Sequence, residues 1–156
     1  MLELNIPGRD PMRLEALVID YNGTIAVDGV PKPGCLERLR QLAETLEVHV
    51  LTADTFGVVA SHLNEQPFTV KILPSGRQDE AKAAYVRSLG LKKTVSVGNG
   101  ANDARMLGET ALGIAVLQEE GACVAAVHNA DVVFGHINEA LDALLHPKRL
   151  VASLRT

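Results

Sequence analysis

Two short loops in this chain carry residues able to hold a phosphate group. Asp20-Tyr21-Asn22-Gly23-Thr24 and Gly98-Asn99-Gly100-Ala101-Asn102-Asp103 each follow a run of apolar and β-branched residues. Glycine in such a loop lets the backbone approach a ligand closely, and backbone N–H groups at the start of a following helix attract an anion. Lys82 adds a cation in the first turns of a third segment. A positive side chain there is mildly unfavourable against the helix dipole, which favours an anionic partner for it. Asp20 and Asp103 supply carboxylates, whereas Asn22 and Asn99 supply only amides.

The elements that must position these residues alternate. Leu14 to Ile19 reads as a strand ending at Asp20, and Ile25 to Val30, with Asp28-Gly29 inside it, reads as a small hairpin. Leu36, Leu39, Leu42, Ala43 and Leu46 recur at helical spacing, and Val48 to Leu51 forms a second strand with Thr52 at its end. A helix through Phe56, Val59, Ala60 and Leu63 precedes a third strand, Thr69 to Leu73, stopped by Pro74. Ser75-Gly76-Arg77-Gln78 has capping-box spacing and opens a helix closed by Gly90. Thr94 to Val97, Ala111 to Val116 and Asp131 to Phe134 are the remaining strands, with helices between them. This alternation predicts an α/β fold, a doubly wound, Rossmann-like parallel sheet flanked by helices, in one domain over residues 1–156. Ligands of such sheets bind beyond the carboxyl ends of the central strands, where Asp20, Thr52 and Asn99 all fall.

Composition narrows the function classes. Three Phe, two Tyr and no Trp leave Val, Leu, Ile and Ala to build the core, which suits a parallel sheet. A net charge of −4 without a basic cluster argues against nucleic acid as a partner. Cys35 and Cys123 have no Cys or His at metal-ligand spacing, as expected of a reduced, cytoplasmic protein. Residues 1–13 hold no apolar leader, and no apolar run reaches bilayer length, so neither export nor a membrane is expected.

Together these residues resemble the haloacid dehalogenase (HAD) superfamily, whose motifs are D-x-D-G-T, a strand ending in Thr or Ser, a downstream Lys, and G-D-G-x-N-D. The match runs through Asp20 to Thr24, Thr52, Lys82 and Gly98 to Asp103, and covers about the whole chain. Gly98 through Gly113-Ile114-Ala115 to Ala130-Asp131-Val132-Val133, with Thr52-Ala53-Asp54, is similar to the phosphorylation domain of P-type ATPases. The short connection from Thr52 to Lys82 leaves no room for a nucleotide-binding insertion or a cap, so the resemblance implies a soluble, capless relative.

The resemblance implies a hydrolase: a phosphatase in which Asp20 attacks phosphorus and forms an aspartyl-phosphate. Thr52, Ala53, Lys82, Asn22 and Gly23 would bind the phosphoryl group, Lys82 offsetting charge in the transition state, with Arg77 its competitor. Asp20, Asn22 through its backbone carbonyl, Asn99 and Asp103 would hold Mg²⁺. Two positions depart from the pattern. Asn22 stands where the family has a general acid and base worth roughly 10² to 10⁴ in rate, so a slow enzyme acting on acyl or activated aryl phosphates is expected. Asn99 replaces a carboxylate that binds the metal directly, so Mg²⁺ should bind weakly. The substrate would be a small phosphorylated molecule or a phosphorylated macromolecule.

Two acid-to-amide changes leave, as the runner-up reading, a catalytically degenerate phosphate-binding or regulatory protein-interaction module. Asn22 and Asn99 both precede Gly, the context most prone to deamidation, so an aged sample is expected to gain Asp and, with it, activity. His49, His62, His128, His136 and His146 have no metal spacing, and Cys35 reads as a buried helix residue. Leu141, Leu144, Leu145, Leu150, Val151 and Leu154 offer a face for packing or for a homo-oligomer.

Overall fold

Ala16 to Asp20, Thr94 to Gly98 and Leu112 to Val116 are each buried along their whole length. Strands covered on both faces read as near-continuous apolar runs, which is how these three stand out in the sequence. The computed structural model describes residues 1–53 and 58–156.

In chain order, β1 (Leu2–Leu4) and β2 (Met12–Leu14) pair antiparallel, β3 (Ala16–Asp20) enters the main sheet, and β4 (Ala26–Val27) and β5 (Val30–Pro31) make a hairpin. Then come α1 (Cys35–Leu42), β6 (Glu47–Thr52), α2 (Val58–Leu63), β7 (Thr69–Ile72) and α3 (Gln78–Leu89). The rest is β8 (Thr94–Gly98), α4 (Ala104–Glu109), β9 (Leu112–Val116), α5 (Val124–Asn129), β10 (Val132–Phe134), α6 (Ile137–Leu145) and α7 (Lys148–Leu154).

The main sheet has six strands in the order β10-β9-β8-β3-β6-β7, and every neighbouring pair is parallel. From β3 the chain winds outward through β6 and β7, crosses back to β8, and winds outward the other way through β9 and β10. The strand order therefore reverses between β3 and β8, and a crevice opens at their carboxyl ends. This is the doubly wound architecture expected from the sequence, and no cap domain is present among the described residues.

Register sorts the side chains into layers. Ile19 lies opposite Val50 and Val97, and all three pack with Leu39 and Leu42 of α1 and Leu141 and Leu144 of α6. Val18 and Leu51 point the other way, onto Val86 of α3 and Met106 of α4. Ala115 meets Leu107 and Ala126 and so seats α4 and α5.

Two expectations are corrected. The run Leu14 to Ile19 is two strands: Leu14 pairs with Leu2, whereas Ala16 pairs with Glu47 and Thr94. The break falls at Glu15, whose N–H donates to Lys93 O at 2.8 Å and whose carbonyl accepts from Glu47 N at 2.8 Å. Ser75 does not cap α3, since Arg77 holds the N-cap position without a side-chain cap bond; Asp79 and Glu80 instead offset the positive end of the helix. Of the two uses open to the C-terminal leucines, packing is the one seen: Leu141, Leu144, Leu150 and Leu154 belong to the main core, and Leu145 and Val151 pack against it. Of the helix expected through Phe56, Val59 and Leu63 are buried in α2, while Phe56 lies outside the described residues. Among the described residues no helix is long and apolar enough to cross a membrane.

Candidate functional site

Strand β3 delivers Asp20 to the crevice, and the following turn is held by backbone bonds from Tyr21 N to Leu51 O (3.1 Å), Ala26 N to Tyr21 O (3.0 Å) and Gly23 N to Ala26 O (2.8 Å). The Tyr21 hydroxyl donates to Gly29 O at 3.0 Å and ties this loop to the β4–β5 hairpin. Gly23 has φ +81°, and a Cβ there would lie 2.5 Å from Asn99 Nδ2. Both its conformation and its neighbour therefore require glycine.

The second loop folds around Asp103, which is fully buried. Its Oδ2 accepts from Asn99 N at 3.0 Å and Gly100 N at 2.8 Å. A Cβ on Gly98 would stand 2.4 Å from Asp103 Cγ, so only glycine admits this close approach. The amide of Asn99 has a definite orientation: Nδ2 donates to Gly121 O at 2.9 Å, which turns Oδ1 toward the Thr24 hydroxyl at 3.2 Å. That hydroxyl is also 3.3 Å from Asp20 Oδ2, with one proton for two acceptors.

Lys82 joins the loops. Its ammonium, buried under α3, donates to Asp20 Oδ1 at 2.6 Å and to Asp103 Oδ1 at 2.7 Å. Burial pulls the Lys82 pKa down, but Asp20 and then Asp103 more than reverse this, so its net direction is upward and the cation is secured. Asp20 is pushed up to about 7, first by burial and next by Asp103, with Lys82 pulling against both. One ammonium thus serves two carboxylates. Arg77, the competitor for this role, pairs instead with Glu80 at 3.2 Å on the surface.

A cleft of about 310 Å³ opens over these groups, walled by Asp20, Asn22, Ala53, Lys82 and Asn99, with Gln78, Gly100, Asn102 and Glu120 completing its rim. Thr52 is buried at the end of β6, and its carbonyl accepts from Leu73 N at 2.7 Å. Asp54, part of the T-x-D resemblance, lies outside the described residues. A larger concavity of about 700 Å³ opens around Glu47 and His49 at the amino ends of β6 and β7. The smaller cleft is the better candidate, because it sits at the switch point and gathers the ionisable groups.

Two groups here carry no sequence motif. Gln118 donates from Nε2 to Gly23 O (3.1 Å) and Thr24 O (2.9 Å) and accepts at Oε1 from Ile137 N (2.7 Å), clamping the first loop to the start of α6. Glu120 reaches the cleft from the loop after β9. Neither could be placed by local spacing; each arrives through the sheet topology. Within the second motif loop, Asn102 Nδ2 donates to Gln78 Oε1 at 2.9 Å on the rim.

For a hard cation the donor set is suitable in kind: a carboxylate at Asp20 and a neutral amide oxygen at Asn99, turned inward. Asp103 spends both oxygens on Lys82 and the loop amides. Among the described residues no three His, Cys, Asp or Glu side chains converge as a metal cluster. Of the histidines, His49 is buried with its Nδ1 3.0 Å from the Tyr85 hydroxyl, and His136 Nδ1 caps α6 by accepting from Asn138 N. Cys35 is buried, and burial pushes its thiol up to about 12, which makes it a core residue and not a nucleophile.

No protein-family model matches the chain. An uncharacterised protein of Methanocaldococcus jannaschii is 44% identical over 64 residues, 41% of this chain and 69% of that protein. A copper-exporting P-type ATPase of Staphylococcus saprophyticus is 31% identical across 100% of this chain, which spans 19% of the ATPase. Among solved structures, a Legionella pneumophila protein described as a HAD-superfamily hydrolase of subfamily III A superposes with a TM-score of 0.71 at 17% identity, covering 90% of this chain and 87% of that one. The 3-deoxy-D-manno-octulosonate 8-phosphate phosphatase of Moraxella catarrhalis, solved with magnesium, phosphate and KDO, gives a TM-score of 0.65 at 15% identity, over 91% and 94% of the two chains. The fold is that of the haloacid dehalogenase superfamily, capless in its described residues, and in sequence the chain is similar to a segment of a P-type ATPase.

Proposed function

We propose that this chain, as a single domain, is a magnesium-dependent phosphohydrolase that works through an aspartyl-phosphate on Asp20 and is slowed by Asn22. The observation that carries this reading is the buried Lys82 ammonium, held 2.6 Å from Asp20 at the point where the strand order reverses. A structural ion pair has no need of that address, and a site for phosphoryl transfer does.

In the reaction, an Asp20 carboxylate oxygen attacks phosphorus, and the ester oxygen leaves with the electrons of its bond to phosphorus. Water then attacks the same phosphorus, the bond to Asp20 breaks, and inorganic phosphate departs while the carboxylate is restored. Lys82 offsets charge on the phosphoryl oxygens, with Thr52 and the Gly23 and Ala53 backbone as further phosphate contacts. Asp103 positions Lys82 and the Asn99 loop. A cation held by Asp20, Asn99 and the Asn22 carbonyl would supply further charge neutralisation. Asn22 neither protonates the leaving oxygen nor takes a proton from water, so substrates with good leaving groups are favoured. The uncapped cleft suits either a small phosphorylated molecule or a phosphate on a larger one. Free thiols at Cys35 and Cys123 accord with the reducing cytoplasm.

One observation favours a second reading, a phosphate-binding or regulatory module without turnover: the amides of Asn22 and Asn99 both stand in the cleft where the family pattern has carboxylates. Hydrolysis of acetyl phosphate and p-nitrophenyl phosphate by fresh, mass-checked protein with Mg²⁺, followed by acid quench and detection of phosphoprotein, separates the two. The enzyme reading expects slow turnover and a covalent phosphate, both lost in Asp20→Asn. Absence of both in the unaltered protein overturns the enzyme reading and favours the binding module.

A further inference from the structure

The cleft has lost carboxylates at two motif positions and gained one from elsewhere. Glu120 follows β9, far from either motif loop, yet its side chain lines the same cleft as Asp20, Asn22 and Asn99. Its position over the first loop is close: the point that a Cβ on Gly23 would occupy lies 2.5 Å from Asn99 Nδ2 and 2.9 Å from both Asn99 Oδ1 and Glu120 Oε2. The Glu120 carboxylate and the Asn99 amide thus stand together over the Gly23 turn, in the cleft that Asp20 also lines.

The segment that carries Glu120 is fixed on both sides. Ahead of it, Gln118 makes its three bonds to Gly23, Thr24 and Ile137, and Glu119 pairs with the buried Lys32 ammonium. Behind it, Gly121 O accepts from Asn99 Nδ2 at 2.9 Å, and Cys123 N donates to Asn99 O at 2.8 Å. The bond to Gly121 requires an N–H donor at position 99, which a carboxylate lacks. The amide that weakens residue 99 as a metal ligand is therefore the group that anchors the loop bearing Glu120.

Charge gives this arrangement a direction. Lys82 answers Asp20 and Asp103 together, leaving a single uncompensated negative charge for a divalent ion, and Asn99 adds none. Hard cations prefer charged oxygen, and Glu120 supplies it. We propose that Glu120 is a carboxylate ligand, direct or through one water, of a hard divalent cation held with Asp20 in this cleft, standing in for the charge absent at Asn99. The inference rests on the metal-dependent reading above and adds a residue to it.

Mn²⁺ titration of the full chain, followed by water-proton relaxation with Mg²⁺ competition, tests it without reference to turnover. Glu120 is exposed, so Glu120→Gln leaves the fold intact, as circular dichroism and urea melts would verify. Glu37→Gln removes an equal charge from an exposed position on α1 outside the cleft. The expected result is Mn²⁺ affinity weakened tenfold or more in Glu120→Gln and changed less than twofold in Glu37→Gln. Equal affinity in Glu120→Gln and the unaltered chain overturns the inference and leaves the metal-dependent reading standing. Equal losses in the two variants reduce the effect to a general field and likewise overturn it. No Mn²⁺ binding by the unaltered chain overturns both.

Discussion

Lys82 meets Asp20 at 2.6 Å from inside the sheet-helix interface, so the proposed nucleophile and its cation are set against each other in the fold itself. Even so, the Asp20 pKa is pushed up to about 7 from 3.8, through burial first and Asp103 second, with Lys82 pulling against both. A carboxyl whose folded pKa lies above its unfolded value binds its proton more tightly when folded, so stability falls as pH rises between about 4 and 7. Asp20→Asn removes that slope. In metal-free buffer the variant should be more stable than the unaltered chain by about 2–4 kcal/mol at pH 7.5, with the gap closing toward pH 4. Urea melts across this range check it, and a gap that does not change with pH refutes it.

Asn22 is exposed at the cleft mouth, so exchanging its amide for a carboxylate disturbs no packing. Asn22→Asp restores a group able to give and take a proton, and p-nitrophenyl phosphate turnover should rise by about tenfold or more, within the roughly 10² to 10⁴ that such groups supply. The gain should be larger for an alkyl phosphate, whose leaving group needs the proton. An unchanged rate in folded protein rules out this account of the slow chemistry.

Gln118→Ala strands the N–H of buried Ile137 and two loop carbonyls together. A loss of about 1–3 kcal/mol is expected from the unpaired buried donor. Chemical denaturation measures it, and a variant as stable as the original would show that water replaces the clamp without cost.

The two Asn-Gly pairs behave differently in the fold from what their sequence suggests. Deamidation needs the following backbone nitrogen to attack the side-chain carbonyl, yet Gly23 N donates to Ala26 O and Gly100 N to Asp103 Oδ2, each at 2.8 Å. Both nitrogens are committed. Intact mass should stay constant during native storage over a period in which the urea-unfolded chain converts Asn to Asp; equal conversion in both states would count against the protection.

The sheet was legible because β3, β8 and β9 are buried on both faces and read as unbroken apolar runs, and the hairpin because Asp28-Gly29 marks its turn. The pairing of β1 with β2 was not, since three-residue strands around Pro7 and Pro11 carry too little periodicity to read. Motif spacing pointed to Asp20, Lys82, Asn99 and Asp103, which the fold brings together. Gln118 and Glu120 were hidden because the Gly23-Thr24 loop that both meet stands more than ninety residues away in the chain, a distance over which only the sheet order carries information. Ser75 misled because a capping box is a local pattern, while the start of α3 is set by its packing at Lys82 and Val86.

The bond from Cys123 N to Asn99 O gives this chain a built-in reporter. Cys123 is partly accessible and hangs from the same residue that walls the cleft, whereas the other thiol, Cys35, is sealed in the core. A fluorine tag attached to the native protein would mark one position and read that position's loop. Occupation of the cleft would then register as a chemical-shift change at a natural residue, without an engineered label site.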